Sequence, residues 1–203
     1  VKNYFSMKKI FLIILLVAFS LSSFAQRHQD QWFFSIGVNA INDVGTKNPY
    51  KNSSDWAFKF PLSAAVEFNW AENIAIEQSL TFNGFNKGDF LDPYPNAARD
   101  YNYISLDTHL KYYFGDLLLG KAPSRNAEWF DIYVNGGLGF SHIDETNISA
   151  NVGGGVLFWL NREKSFGIRL QTIAKFALNH SDSDMVNIDN NHFQHHIQFV
   201  FKL

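Results

Sequence analysis

Eight segments of the chain alternate apolar and polar residues with a period of two, and this repetition limits the fold more than any other feature. Phe58–Trp70 is the clearest: Phe58, Phe60, Leu62, Ala64, Val66, Phe68 and Trp70 share one face, against Lys59, Pro61, Ser63, Ala65, Glu67 and Asn69. Trp32–Ile41, Ile74–Phe85, Tyr101–Phe114, Trp129–Phe140, Ile148–Leu160, Ser165–Leu178 and Phe193–Leu203 repeat the pattern. In Ile74–Phe85 the apolar stripe is broken once, by Gln78. Side chains on a strand point alternately to its two faces, so each segment reads as a strand between two different environments. Segments of about ten residues suit a tilted strand that crosses a bilayer, and an even number returns both ends to one side. The expected fold is therefore all-β: an eight-stranded antiparallel up-and-down transmembrane β-barrel.

The connections carry a second signal. Ala71–Asn73 and Asn161–Lys164 are short, whereas Asn42–Asp55, Gly84–Asp100 and Asn179–Asn191 are long and polar. Short turns after even strands and long loops after odd ones match the asymmetry between periplasmic turns and extracellular loops. Gly115–Glu128 is long for an inner turn, and Ser141–Asn147 is short for an outer loop.

Before the strands, Met7–Gln26 reads MKKIFLIILLVAFSLSSFAQ, with a basic start at Lys8 and Lys9, an apolar run, and small residues at Ser23 and Ala25. This is the layout of a secretory signal peptide cleaved before Gln26. The apolar run falls short of the roughly 20 residues that a spanning helix needs. Residues 1–25 are thus expected to be the signal peptide, with 1–6 an upstream extension and 26–203 the barrel domain. Loss of residues 1–25 would remove Lys2, Lys8 and Lys9 and no acid, making the remainder more acidic than the whole chain's net charge of −2. That balance gives no basic footprint for nucleic acid. The absence of cysteine leaves neither disulfides nor thiolate metal sites.

Alternation alone does not say which face is wet, because a secreted lipocalin-like barrel has the same period with its faces reversed. Three features favour lipid on the apolar face. Gly37, Ser63, Ser79, Gly137, Gly139, Gly153 and Gly155 crowd the other face, and glycine in a strand marks a close approach. Aromatic residues collect at the strand ends, with Trp32, Trp70, Tyr112, Phe114, Phe130 and Phe158 towards the inner turns and Phe82, Phe140, Phe176 and Phe193 towards the outer loops. Two such bands are the aromatic girdles of membrane barrels. The third feature is the ending, HHIQFVFKL, which alternates Phe199, Phe201 and Leu203 to the last residue.

The apolar leader, the eight alternating segments, the opening QWFFSIGVNAINDVG and the aromatic last segment resemble the outer-membrane β-barrel proteins of Gram-negative bacteria, and above all the barrel half of OmpA-type proteins. The resemblance spans residues 26–203 and implies an outer-membrane location. It also implies a C-terminal signal, Phe199, Phe201 and Leu203, read by the barrel-assembly machinery. The family most often ends in Phe where this chain has Leu203, and no peptidoglycan-binding domain of the OmpA type is expected after the barrel segment.

Chemistry is sought on the inner face. Lys59, Lys111, Arg169, Lys175 and Lys202 are expected there with Glu67, Glu77, Asp107 and Asp131. An eight-stranded barrel is just wide enough for side chains to fill, and buried charges must pair, so these nine should form an ion-paired plug. The alternative is a narrow pore or a small-ligand carrier using the same charges.

No catalytic constellation stands out. Ser141 and His142 are strand neighbours and point apart, and there is no GxSxG. His180, Ser181 and Asp182 fall in a polar loop. Of His192, His195 and His196, only the first and last share a face, too far apart to chelate one ion. Asp182, Asp184 and Asp189 lack the rest of a calcium loop, and the glycines at 136–139 and 153–155 lack the Lys-Ser/Thr of a phosphate loop. No enzyme activity, cofactor or metal is expected. The expected partners are outer-membrane lipid, the assembly machinery, and external molecules met by the long loops.

Overall fold

A computed structural model describes residues 31–43, 50, 55–71, 73–89, 91, 93, 99–114, 129–178 and 191–203. Eight strands run in order: β1 (Gln31–Asp43), β2 (Leu62–Ala71), β3 (Ile74–Phe85), β4 (Tyr101–Tyr113), β5 (Phe130–His142), β6 (Thr146–Trp159), β7 (Phe166–Ala177) and β8 (His192–Lys202). Each pairs antiparallel with its neighbours in sequence, and β1 pairs with β8 to close the barrel. That seam runs from Phe33 opposite Lys202 to Asp43 opposite His192. It extends to the Leu203 N–H, which donates to the Trp32 carbonyl at 2.9 Å. A closed barrel satisfies every ladder group internally, which lipid demands.

The alternation decides what faces where. Ile36, Val38, Leu106, Leu110, Leu138, Val152, Leu170, Ile197 and Phe199 stand exposed on the outside, while Glu67, Glu77, Asp107, Lys111, Arg169 and Lys175 are buried within. This is the reverse of a soluble barrel, in which the apolar face fills the interior. Trp32, Tyr112, Phe82, Phe140 and Phe176 lie exposed on the outer surface near the strand ends. Trp70, Phe114, Phe130 and Phe158 are partly covered. Rings pack along the inner rim: Trp129 stacks on Phe158 and Phe166 on Phe199, while Trp32 lies tilted against Phe68 and Phe166 tilted against Phe201.

Two details depart from the sequence expectation. β2 begins at Leu62, not Phe58. Pro61 has no N–H to give the ladder, so only its carbonyl pairs, accepting from the Asn39 N–H at 3.2 Å. Beyond it Ile41 bridges to Ala57, and Phe58–Phe60 bulge out between these two contacts. Asn39 and Asn83 bind the groups this opening leaves over: Asn39 Nδ2 donates to the Leu62 and Phe82 carbonyls, and Asn83 Nδ2 to the Ala57 carbonyl and Asn39 Oδ1. At the same outer end of the barrel, β5 and β6 run on to His142 and Thr146, so residues 143–145 alone make a tight outer hairpin. The segments at 1–30, 115–128 and 179–190, which include the expected signal peptide, His180, Ser181, Asp182, Asp184 and Asp189, lie outside the described residues.

Glycine is required where the barrel curves tightly. A side chain at Gly137 would run into the backbone carbonyl of Thr108, and one at Gly139 would occupy the place of the Asp107 carboxylate. The first allows β4 and β5 to coil closely; the second leaves room for a buried acid.

Candidate functional site

The interior is built in layers. At its inner end Phe33, Leu157 and Val200 form a buried apolar floor with Trp159 packed against them. Above it, Glu67 and Glu77 stand directly opposite one another on β2 and β3. Like charges in that position repel. Two cations hold them together. Arg169 Nη2 donates to Glu67 Oε2 and Nη1 to Glu77 Oε2, both at 2.6 Å, and Nη1 also reaches Ser35 Oγ at 3.1 Å. Lys111 Nζ donates to Glu67 Oε2 at 2.9 Å and also to Glu77. The Tyr113 hydroxyl donates to the remaining Glu67 oxygen at 2.6 Å. Tyr133 lays its ring under both cations, 4.6 Å from Lys111 Nζ and 5.9 Å from Arg169 Cζ. Arg169 and Lys111 are 0% exposed, so ions at this depth are tolerable only with such partners.

A second level lies towards the outside. Asp107 accepts from Lys175 Nζ at 2.6 Å, Asn151 Nδ2 at 2.9 Å and Ser105 Oγ at 3.0 Å. His109 joins the levels, with Nδ1 3.5 Å from Glu77 Oε1 and Nε2 3.4 Å from Asn151 Nδ2. Outward again, Gln194 Nε2 donates to Ser105 Oγ and to the Tyr103 hydroxyl, which shares a 2.7 Å hydrogen bond with His192 Nε2. Ile41, Ala57, Phe85, Leu91, Tyr101 and Tyr103 then form an apolar cap with Ile143 against it. Three acids and three bases thus meet in a polar core with apolar layers at both ends.

The other three charges expected inside lie elsewhere. Lys59 belongs to the bulge before β2 and pairs with Asp100 at the outer rim, 2.9 Å away. Asp131 sits at the inner mouth, accepting from Trp159 Nε1 at 2.5 Å with Lys164 Nζ 3.9 Å off. Lys202 is exposed at the end of β8. All three have an inward register or its equivalent, but strand ends meet water. The interior also holds partners that were not singled out from sequence: Tyr103, Tyr113, Tyr133, His109, Asn151 and Gln194. Their signal is parity alone, since each occupies a position on the polar face of its strand.

Ser141 and His142 point to opposite sides; Ser141 is buried inside, while His142 Nδ1 bonds to Thr146 Oγ1 on the outside. His192 and His196 are interior, whereas His195 lies on the outer face, stacked beneath Trp56 at 4.4 Å.

At the outer rim, the Lys59 ammonium, followed by the Lys87 backbone N–H at 2.9 Å, holds the Asp100 carboxyl below the usual carboxylate range. A carboxyl whose folded pKa is depressed stabilises its surroundings above its unfolded pKa and loses that effect as pH falls through the folded value. Amide exchange at Lys87, corrected for its intrinsic pH dependence, should therefore stay constant from pH 8 to 5 and quicken below about pH 4. Asp100→Asn should show the faster exchange at pH 7, by about two- to three-fold, as suits an exposed pair. Equal protection in the variant at pH 7 would remove Asp100 from the account of this loop.

No protein-family model matches the sequence, and no curated protein matches it. Solved structures do share the fold. The outer-membrane protein OprG from Pseudomonas aeruginosa superimposes with a TM-score of 0.53 at 14% identity, over 87% of this chain and 97% of that one. Neisserial surface protein A does so with a TM-score of 0.50 at 11% identity, over 84% and 94%. The fold is that of the eight-stranded outer-membrane β-barrels. With its charges inside and its apolar side chains outside, this chain is an integral barrel of the outer membrane.

Proposed function

We propose that this chain is a closed, non-catalytic envelope barrel that serves as a structural element of the outer membrane and meets external partners through its loops. One observation supports this most: the Glu67–Lys111–Glu77–Arg169 cluster spans the interior between an apolar floor and an apolar cap. A solute crossing the barrel would have to break several charge-assisted hydrogen bonds in a site without competing water. The outer rim supports the second half of the reading. There Lys59–Asp100, Arg99–Asp144 and the Asn86–Asp89 hydrogen bond brace the base of the β3–β4 loop.

Protein refolded into a planar bilayer, after its gel mobility has been shown to change on heating, should give no discrete conductance steps. Regular steps from the unmodified protein would overturn the closed-barrel reading. They would favour the transport alternative, for which the chain Glu77–His109–Asn151–Asp107–Ser105–Gln194–Tyr103–His192 offers a polar path.

A further inference from the structure

Gln78 is the polar residue that interrupts the outward stripe of β3 between Ile76 and Leu80. Four residues to one side, Ile74 pairs with the girdle residue Tyr112; four to the other, Phe82 of the opposite girdle pairs with Ile104. The amide therefore sits midway across the apolar belt, beyond the reach of water and of lipid headgroups. Thr108 Oγ1 on β4 donates to Gln78 Oε1 at 2.7 Å. Among the described residues this is the one hydrogen bond of that side chain, and the amide nitrogen keeps two N–H donors. Leu106, Leu138, Phe140 and Ile148 surround the pair and leave it in a shallow apolar depression.

The opposite wall shows how this chain treats polar groups on its outer face. Thr172 and His195 bond to each other at 3.0 Å, and the chain covers them itself: the Tyr50 hydroxyl lies 3.0 Å from Thr172 Oγ1 and Trp56 stacks on His195. Gln78 and Thr108 have no such cover and remain exposed. A donor facing hydrocarbon without an acceptor is costly, and acyl chains supply none.

We infer that the outer face around Gln78 and Thr108 is a self-association surface on which a second copy of this chain docks about a two-fold axis. A primary amide is both donor and acceptor, so an identical face completes it. In this arrangement Gln78 Nε2 of each copy donates to Gln78 Oε1 of the other. A two-fold interface is self-complementary in this way by construction. The flanking Leu106, Leu138, Phe140 and Ile148 supply apolar contact around the polar centre.

The chain has no cysteine, so a single one can be placed at will. In phospholipid vesicles under oxidising conditions, Leu106→Cys, which lines the same depression and leaves the Gln78 amide in place, should form disulfide-linked dimers, whereas Leu170→Cys on the opposite wall should not. Energy transfer between donor- and acceptor-labelled full-length barrels should persist on lipid dilution and be competed by unlabelled protein. Gln78→Leu, which removes a polar group from lipid and should insert and remain heat-modifiable, should weaken association about ten-fold. The inference is overturned if the unmodified protein shows no transfer at any lipid ratio. It is equally overturned if Gln78→Leu associates as well as the unmodified protein, or if Leu170→Cys cross-links as readily as Leu106→Cys.

Discussion

Replacing Arg169 by Met should destabilise the barrel by about 3–5 kcal/mol, because it leaves two buried carboxylates with one lysine between them. Glu67 and Glu77 are cross-strand partners, and Arg169 bonds to both. In the variant Lys111 alone would have to offset two negative charges at one level of the interior. The measurement is urea-dependent folding into phospholipid vesicles, followed by the heat-modifiable gel shift. The companion variant is Glu67→Gln with Arg169→Met. Residues that share a network do not contribute additively, so the pair of changes should cost about 2 kcal/mol less than the two single costs summed. A cost below about 1 kcal/mol for Arg169→Met would mean that the cluster is wetted rather than sealed.

The second large effect concerns the outer wall. Leu170, 43% exposed, lies near the middle of the belt on β7, flanked by Val156 and Ile197. Arginine at mid-depth on the lipid face of a membrane barrel costs about 2–4 kcal/mol, falling to about 0–1 near the interface. Leu170→Arg should therefore destabilise the protein in vesicles by that larger amount, and Leu178→Arg, just beyond the outer end of β7, by the smaller one. A soluble barrel would respond to neither substitution by more than about 0.5 kcal/mol, the usual range for surface changes. The contrast between the two sites tests lipid contact directly, without relying on resemblance to any other barrel.

What could be read from the sequence was whatever period two encodes. Parity places Glu67, Glu77, Asp107, Lys111, Arg169 and Lys175 on the inner face of their strands, and all six are buried there. It likewise puts Leu106, Val152 and Phe199 on the outside. Height along the barrel axis is a different quantity, and parity does not contain it. Asp131 and Lys202 have the right side and the wrong level, because strand register decides how near a residue lies to the mouth. Lys59 is displaced for a local reason, the missing N–H of Pro61 and the bulge that follows from it. Pairing across the lumen is harder still. Arg169 meets Glu67 from 102 residues away and Lys111 meets it from 44, distances that no local pattern records. The tyrosines were hidden by their own chemistry. Tyr113 and Tyr133 are aromatic enough to suggest a girdle, yet they turn inward to bind a carboxylate and to lie beneath two cations.

The layering of the interior has one more consequence. Its two levels are separately neutral, Glu67 and Glu77 against Lys111 and Arg169 in one, Asp107 against Lys175 in the other. Work done by a transmembrane potential is proportional to the charge displaced. Each level, moved as a unit along the barrel axis, carries no net charge through the field. Among the described residues, an applied voltage thus has no net charge to pull on in either level, and any response to it would have to come from separating one ion from its partner.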